Sequence, residues 1–479
     1  MDYVRLVLLI LTTTALTSSA EAQLHPDSGQ SDGARRGYVA VRMTGDGTYD
    51  VIDAVNAEGL FVPASVLKLV TVSAALDYLG PDYQWRTIVL AEGRLEAGVL
   101  DGDLVIQPDA DPTWEEEVSS RGGFESVETL ASQIRDAGLK RVRGDLVVDK
   151  SRFPGRSHPL DRSYADLPYR HGTPPAGLAV NQATIQVRVG PGSSVGAPAL
   201  VSAPEGVDIL NHTMTVGTER HGKGSLDFIP VWGTEMLLLR GEYPISEGPF
   251  VVAVSDPRPE LRVGRYLRAA LEELGVAIEG SVRFGVPSGN SSGRSEVVAE
   301  LRSGPLRTIL RKILASSQNW YADMLVLTLS KAVAGTGRFD DGVAVVSNFL
   351  SGLSDRNVGP LPRPWLRDGS GLSPANLVTP ISIVGVLGHA LTQDWAEILL
   401  GALPGPGEGT LAGWSSVPQI AAKTGTLRHT VGLAGFLDAG PEGPVVFCYF
   451  VNHLPGRPRV AREQIASALA RWQALEGSR

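Results

Sequence analysis

The chain has 479 residues, 43% of them hydrophobic, with 43 Lys and Arg against 52 Asp and Glu and a formal net charge of −9. Because no basic excess is present to displace counterions from phosphates, the composition argues against nucleic-acid binding, and at about 150 residues per domain the length suggests about three structural units. The one cysteine, Cys448, excludes an intrachain disulfide framework and a thiolate metal cluster.

The first 22 residues have the pattern of a signal peptide. Arg5 precedes an apolar run from Leu6 to Leu11, and the segment ends in Ala20-Glu21-Ala22, an Ala-x-Ala cleavage site before Gln23. The apolar run is too short to span a bilayer of about 30 Å, so no stable transmembrane anchor is expected there. We therefore expect residues 1–22 to be removed on export and the mature chain to lie in the periplasm or the cell wall.

The residues that follow predict a β-hairpin and then a helix. The hairpin strands are expected at Tyr38–Met43 and Tyr49–Ala54. Pro63 suits the first turn of a helix and Gly80 can end one, so a helix is expected between them.

From about residue 85 to residue 254 the sequence changes to short strands separated by Gly and Asp turns, with one helix at about Phe124–Ala137. Gly102-Asp103-Leu104-Val105-Ile106 is echoed by Gly144-Asp145-Leu146-Val147-Val148, although five residues are too few to define a repeat. We interpret residues 85–254 as an inserted, strand-rich region with two subdomains.

The C-terminal part returns to helical patterns, at Leu261–Leu274 and Leu306–Val333, and then to strands. Three antiparallel strands and a closing helix are expected at Gln419–Gly425, Val431–Leu437, Val445–Asn452 and Val460–Trp472. The hairpin near the start and the strands at the end are expected to complete one sheet. Residues 23–84 and 255–479 would then form one discontinuous α+β domain, interrupted by the insertion.

Ser65 and Lys68 are at positions i and i+3 of the first predicted helix, and hence on one face of it. A serine hydroxyl is a poor nucleophile until a base takes its proton. A lysine can be that base if burial and nearby positive charge lower its pKa from about 10.4. Taken alone, Ser-x-x-Lys occurs by chance in most long sequences.

Two further motifs carry side chains that could assist a serine nucleophile or bind its substrate. In Ser317-Gln318-Asn319, the serine could relay a proton and the asparagine carboxamide could hold a substrate amide. In Lys423-Thr424-Gly425-Thr426, the lysine and the first threonine could bind a terminal carboxylate, and the glycine permits close approach of a peptide backbone. Three motifs in this order, each on a suitable element, coincide by chance far less often than any one of them.

The set Ser-x-x-Lys, Ser-x-Asn and Lys-Thr-Gly resembles that of the serine penicillin-recognising enzymes, with matches at Ser65/Lys68, Ser317/Asn319 and Lys423–Gly425. The 252 residues from Ser65 to Ser317 are far more than a simple β-lactamase leaves between its first two motifs. The chain is therefore similar to the S13 peptidases, the penicillin-binding-protein-4-type D-alanyl-D-alanine carboxypeptidases/endopeptidases. Other segments typical of that family are Pro63–Thr71, Gly144–Gly155, Leu178–Asn181 and Asp368–Ser373.

The resemblance implies an α+β, β-lactamase/transpeptidase-like domain, an antiparallel sheet flanked by helices plus an all-helical lobe, with a large strand-rich insertion. It also implies a serine-type D-Ala-D-Ala carboxypeptidase that acts on peptidoglycan stem peptides without a metal or other cofactor. Ser65 would attack the carbonyl of the penultimate D-Ala, with Lys68 as general base and Ser317 passing the proton to the departing D-Ala. Backbone N–H groups of Ser65 and Thr426 would form the oxyanion hole. The substrate-binding side chains would be Asn319, Lys423, Thr424 and Thr426.

The resemblance further implies covalent inhibition by β-lactams. It also implies a second reaction, the DD-endopeptidase cleavage of D-Ala-to-diamino-acid crosslinks. Two alternatives stay open. A serine β-lactamase has the same three motifs, but it must deacylate rapidly and would leave the insertion unexplained. A non-catalytic sensor would use the same cleft to bind peptidoglycan or β-lactams.

Overall fold

The structure, a computed structural model, describes residues 33–43, 49–114, 124–156, 158–204, 206–217, 226–231, 234–286, 295–357, 361–414, 417–438 and 443–477. The predicted signal peptide, residues 1–22, lies outside the described residues. The described strands are β1 (Arg35–Met43), β2 (Tyr49–Val55), β3 (Arg86–Glu96), β4 (Val99–Gln107), β5 (Arg141–Val142), β6 (Leu146–Asp149), β7 (Thr184–Gly190), β8 (Leu200–Ser202), β9 (Asp208–Val216), β10 (Leu226–Pro230), β11 (Met236–Pro244), β12 (Phe250–Ser255), β13 (Ala277–Ile278), β14 (Val282–Gly285), β15 (Ser295–Arg302), β16 (Ile420–Leu427), β17 (Thr430–Leu437) and β18 (Val445–Asn452). The described α-helices are α1 (Leu67–Leu79), α2 (Glu125–Asp136), α3 (Pro259–Glu273), α4 (Leu310–Leu314), α5 (Asn319–Ala332), α6 (Phe339–Asn357), α7 (Pro380–Leu391), α8 (Ala396–Ala402) and α9 (Pro458–Gly477).

A five-stranded antiparallel sheet joins the first described strands to the last, in the order β16-β17-β18-β1-β2. Val39 lies opposite Cys448, and Lys423 lies opposite Ala434. One face packs on α9, where Trp472 is fully buried, and the other face packs on α7 and on the turn Ala64–Val66 that precedes α1. The prediction that the two ends of the chain complete one sheet is confirmed, and so is the α+β class.

Helix α1 lies at the centre of the helical part, where it contacts α4, α5, α6 and α7. Every residue from Leu67 to Leu76 is buried, because most of them are apolar and other helices surround this segment. The helix ends at Gly80, which has φ of +79°, as the sequence predicts. Among the described helices, none combines the length and the apolar composition that a bilayer crossing requires.

The helical pattern predicted over residues 306–333 is divided into α4 and α5. The break occurs at Ser317, whose φ of +57° is incompatible with a continuing α-helix. The N–H of Gln318 donates to the carbonyl of Lys312 (3.1 Å) and so closes the end of α4. We call this break between α4 and α5 the corner at Ser317. It places the side chains of residues 317 and 319 at the start of α5 and not in the middle of one continuous helix.

A second, seven-stranded sheet contains β3, β4, β5, β6, β13, β14 and β15 and packs against α2 and α3. The echoed pentapeptides are neighbours in it, since Leu104 of β4 pairs with Leu146 of β6 in parallel. Two three-stranded sheets, β10-β11-β9 and β12-β7-β8, have a hydrophobic core of their own.

The boundaries of the inserted region stay a prediction. The sequence predicts that it ends at residue 254, whereas the larger sheet takes in strands as far as Arg302 and its core includes side chains of α3. We therefore propose that the inserted region extends over residues 86–302 and consists of two subdomains, one for each of these cores.

Candidate active site

The side chain of Ser65 is half-buried and lies in a short 3-10 turn immediately before α1. Upstream of it, the N–H of Val62 donates to Asn452 Oδ1 (2.7 Å), and the Val62 carbonyl accepts from Asn452 Nδ2 (3.2 Å). On the other side, a Cβ at Gly371 would come within 1.8 Å of the Ala64 carbonyl oxygen, so the loop carrying Gly371 lies directly against the turn. The turn is therefore held between the end of β18 and this loop.

Lys68 lies in the first turn of α1, and its side chain is fully buried. Its Nζ donates to Ser65 Oγ (2.8 Å), Asn319 Oδ1 (2.7 Å) and the Ser370 carbonyl (2.8 Å). Burial disfavours the charged amine and lowers the pKa of Lys68 from 10.5 to about 7, against the opposing effect of two nearby carboxylates. A large fraction of the amine is therefore neutral near pH 7, which a base for Ser65 requires.

Asn319 connects Lys68 to the inserted region. Its Oδ1 accepts from Lys68, and its Nδ2 donates to the carbonyl of His171 (2.8 Å) in the 3-10 turn Arg170–Gly172. A bond on each side of the carboxamide fixes its orientation. Ser317 is half-buried and two residues upstream, so it belongs to the same corner.

Strand β16, the edge strand of the five-stranded sheet, carries the Lys-Thr-Gly motif. A Cβ at Gly425 would lie 2.7 Å from the carbonyl oxygen of Pro63 and 3.2 Å from the Cβ of Ala64. Only glycine lets the strand approach the Ser65 turn this closely.

The motif's polar side chains differ in exposure. Lys423 is fully buried, and its Nζ donates to the Thr424 carbonyl (2.9 Å). Burial and the positive charge of Lys68 hold the pKa of Lys423 well below its usual value. The Thr424 hydroxyl donates to Thr410 Oγ1 (2.6 Å), whereas Thr426 is exposed. The edge of β16 thus presents a hydroxyl to solvent, with the amine of Lys423 buried behind it.

A buried ionic cluster that we did not predict lies beneath Lys68. Arg162 forms ion pairs with Asp323 and Asp368, and the three side chains are 1%, 0% and 0% exposed. Asp323 follows Asn319 by four residues, so helical spacing could have placed it near the site. Asp368 belongs to a segment that the sequence marks as typical of the family, but without a role. No local signal identifies Arg162, because its partners lie more than 160 residues away.

The structure thus brings Ser65, Lys68 and Asn319 into one hydrogen-bonded group and places β16 against the turn that carries Ser65. The arrangement offers a hydroxyl nucleophile, an adjacent amine base and a strand edge for a peptide. In the described ranges of the chain, no three His, Cys, Asp or Glu side chains are grouped as a metal site would require.

The chain is similar to known proteins over almost its whole length. Residues 27–474 match the D-Ala-D-Ala carboxypeptidase 3 (S13) family. The D-alanyl-D-alanine carboxypeptidase of Actinomadura sp. (strain R39) is 32% identical over 460 residues, which cover 90% of this chain and 82% of that protein. The D-alanyl-D-alanine carboxypeptidase DacB of Haemophilus influenzae is 25% identical over 435 residues, which cover 88% of this chain and 86% of that one.

A solved structure shows the same fold. The crystal structure of penicillin binding protein 4 (dacB) from Haemophilus influenzae has a TM-score of 0.76 at 24% identity, covering 89% of this chain and 92% of that one. The same protein complexed with a novel β-lactam has a TM-score of 0.73 at 23% identity, covering 90% and 94%. The predicted fold class and the predicted assignment as a D-Ala-D-Ala carboxypeptidase are confirmed. Because the family match takes in the five-stranded sheet and all three motifs, the chain belongs to the S13 family of D-Ala-D-Ala carboxypeptidases.

Proposed function

We propose that this enzyme removes the terminal D-Ala from peptidoglycan stem peptides through an acyl-enzyme on Ser65, with Lys68 as general base. The observation that carries the proposal is the 2.8 Å hydrogen bond between Lys68 Nζ and Ser65 Oγ at a buried amine. In the reactive form the amine is neutral and accepts the hydroxyl proton of Ser65 instead of donating to it.

In the acylation step, Ser65 Oγ forms a bond to the carbonyl carbon of the penultimate D-Ala while its proton moves to Lys68. The negative charge that develops on the carbonyl oxygen accepts hydrogen bonds from the backbone N–H groups of Ser65 and Thr426. The carbon–nitrogen bond then breaks, and the proton passes through Ser317 to the amine of the departing D-Ala. Water hydrolyses the ester, which restores the Ser65 hydroxyl and leaves the shortened peptide with a free carboxylate.

The substrate would lie along the edge of β16. Lys423, Thr424 and the exposed Thr426 hydroxyl are suited to the terminal carboxylate, since amine and hydroxyl groups donate hydrogen bonds to it and an arriving anion favours the protonated form of Lys423. The Asn319 carboxamide, held by its bond to the His171 carbonyl, would hold the peptide on the opposite side.

A β-lactam would acylate Ser65 by the same chemistry, because its ring amide stands in for the scissile peptide. Its leaving nitrogen stays tethered to the acyl group, so the ester would persist and the enzyme would be inhibited. A rapid β-lactamase would instead turn the drug over. Export with cleavage between Ala22 and Gln23 is part of the proposal, on the strength of the N-terminal sequence.

The test uses residues 23–479 and a stem pentapeptide that ends in D-Ala-D-Ala. We expect release of free D-Ala and covalent labelling by a fluorescent penicillin, and we expect both to vanish in Ser65→Ala. Ser317→Ala should lower D-Ala release at least about 100-fold, because proton delivery by a placed group contributes about that much. The matched control is Ser316→Ala, which removes an exposed hydroxyl next to Ser317.

The alternatives give other results. If the protein is labelled and cleaves a crosslinked dimer but releases no D-Ala from the pentapeptide, its activity would be that of a DD-endopeptidase only. Labelling with neither reaction would favour a sensor. Rapid penicillin hydrolysis without D-Ala release would favour a β-lactamase. Labelling that persists in Ser65→Ala would refute the assignment of the nucleophile.

A further inference from the structure

Arg162 comes from the inserted region, between β6 and β7, yet its guanidinium ends in the catalytic part of the molecule. Its side chain is 1% exposed. Its Nη2 donates to Asp323 Oδ2 on α5, to Asp368 Oδ2 (3.2 Å) and to Ser370 Oγ (3.1 Å). Arg162 is therefore a buried cation that joins the inserted region to two elements of the active site.

The two carboxylates shape the loop that holds Lys68. Asp323 Oδ1 accepts from the N–H of Gly369 (3.1 Å), and Asp368 Oδ1 accepts from the N–H of Gly371 (2.8 Å). Between these two glycines, the Ser370 carbonyl accepts from Lys68 Nζ (2.8 Å). The position of the lysine acceptor thus depends on the two carboxylates.

Two carboxylates in a dry interior need compensation, because an unpaired buried charge is strongly destabilising. Arg162 and the amine of Lys68 face them, the amine of Lys423 lies near Lys68, and His158 faces Arg162. Burial and Arg162 lower the pKa of His158 to about 4, so this imidazole is neutral at pH 7 and does not replace the arginine.

We propose that Arg162 is a positioning residue for acylation: it compensates the charge of Asp323 and Asp368, so that Lys68 can give up its proton while the Ser370 loop keeps its place. The proposal rests on Lys68 as the base for Ser65. It gives the inserted region a part in catalysis, since the arginine that permits a neutral lysine lies outside the three motifs.

The sign of the effect on pH follows from the charges. Asp323 and Asp368 raise the pKa of Lys68, whereas burial and Arg162 lower it, to about 7. Burial raises the pKa of Asp323 and Arg162 opposes that effect, so without Arg162 the carboxylate charge that remains would favour the protonated amine of Lys68. The pH at which acylation reaches half of its maximum would then move upward, because only the neutral amine accepts the Ser65 proton.

The experiment measures the second-order rate constant of acylation by a fluorescent penicillin between pH 5.5 and 10 in full mature protein. We expect Arg162→Met to lower acylation at pH 7 at least about fivefold and to move the midpoint upward by about one pH unit or more. Arg162→Lys should bring the midpoint back toward the wild-type value. The matched control, Arg156→Met, removes an arginine that is 53% exposed and should change neither quantity.

A double variant separates charge compensation from simple structural support. Arg162→Met with Asp323→Asn removes one carboxylate together with the arginine, so its midpoint should return toward the wild-type value even if its thermal stability is low. An unshifted midpoint in Arg162→Met, or a double variant shifted as far as the single one, would overturn the proposal. If Arg162→Met does not fold, Arg162→Gln, which also removes the charge, takes its place with the same expected upward shift. Wild-type protein that is not acylated at any pH would instead contradict the proposed function.

Discussion

In the proposed mechanism Lys68 is the general base, and opposing influences set its protonation. Complete burial favours the neutral amine, whereas Asp323 and Asp368 favour the ammonium form. The balance puts its pKa at about 7, far below the value of a lysine in water and close to the pH at which a base is useful. No single contact produces this value, so it follows from the whole buried neighbourhood.

The pKa of Lys68 predicts how activity depends on pH. Below about pH 7 the amine is protonated and cannot take the Ser65 proton, so acylation should fall about tenfold for each pH unit. Above pH 7 the rate should approach a plateau. Stopped-flow acylation by a fluorescent penicillin checks this profile, and Lys68→Ala should remove both the pH dependence and almost all of the rate. Lys140→Ala, at an exposed position, is the control. A rate that is flat from pH 5.5 to 8 would contradict the role of Lys68.

At the scale of the elements, three segments form the candidate site: the turn before α1, the corner between α4 and α5, and the edge of β16. Each is held by contacts other than those of the motif. Asn452 fixes the chain before Ser65, the His171 carbonyl fixes Asn319, and Thr410 fixes Thr424. The catalytic distances therefore depend on how closely these segments approach one another.

Gly425→Ala tests that dependence. Its methyl group would lie 2.7 Å from the Pro63 carbonyl oxygen, so β16 or the Ser65 turn must shift. Since a displacement of about 1 Å can cost about 100-fold in rate, we expect acylation to fall about 10- to 100-fold while the protein stays folded. Acylation kinetics and a thermal melt measure the two effects. The control is Gly401→Ala, where a Cβ has nothing within 4 Å. Unchanged acylation in Gly425→Ala would show that the close approach has no part in placing the site.

The sequence predicts the elements of this site better than the contacts between them. The helix that ends at Gly80 and the strands at the C-terminus follow from turn residues and apolar patterns, which act locally. The corner at Ser317 does not, because a polar residue with positive φ interrupts a pattern that is helical on both sides. Arg162 was missed for a related reason: a long-range ion pair leaves no periodic signal, and a lone arginine in a strand-rich region is usually solvated.

At the scale of the whole molecule, ion pairs between buried or partly buried side chains join the proposed inserted region to the catalytic part. One contact is the Arg162 cluster, and another joins Asp109, after β4, to Lys331 near the end of α5. Asp109 Oδ2 also accepts from the N–H of Arg86 (2.6 Å), and Arg152 lies 3.9 Å from its carboxylate. The side chain of Asp109 is 8% exposed and that of Lys331 is 29% exposed, so the carboxylate depends more on its partners than the amine does.

This asymmetry predicts unequal effects of removing the two partners of the ion pair. Lys331→Met leaves Asp109 its backbone donor and Arg152, so we expect a loss of about 1–2 kcal/mol in the free energy of unfolding. Asp109→Ala leaves the Arg86 N–H without its acceptor and two cations without their carboxylate, so a loss of about 3–5 kcal/mol is expected. Denaturant unfolding followed by circular dichroism and tryptophan fluorescence measures both losses. The control is Arg459→Met, because the side chains of its ion pair with Glu463 are 86% and 58% exposed.

The same experiment tests whether the contact holds the two regions together. If it does, the transitions seen by the two probes should no longer coincide in Asp109→Ala, as the inserted region and the catalytic part unfold separately. Equal small losses in both variants, with coincident transitions, would mean that the apolar cores alone keep the regions together.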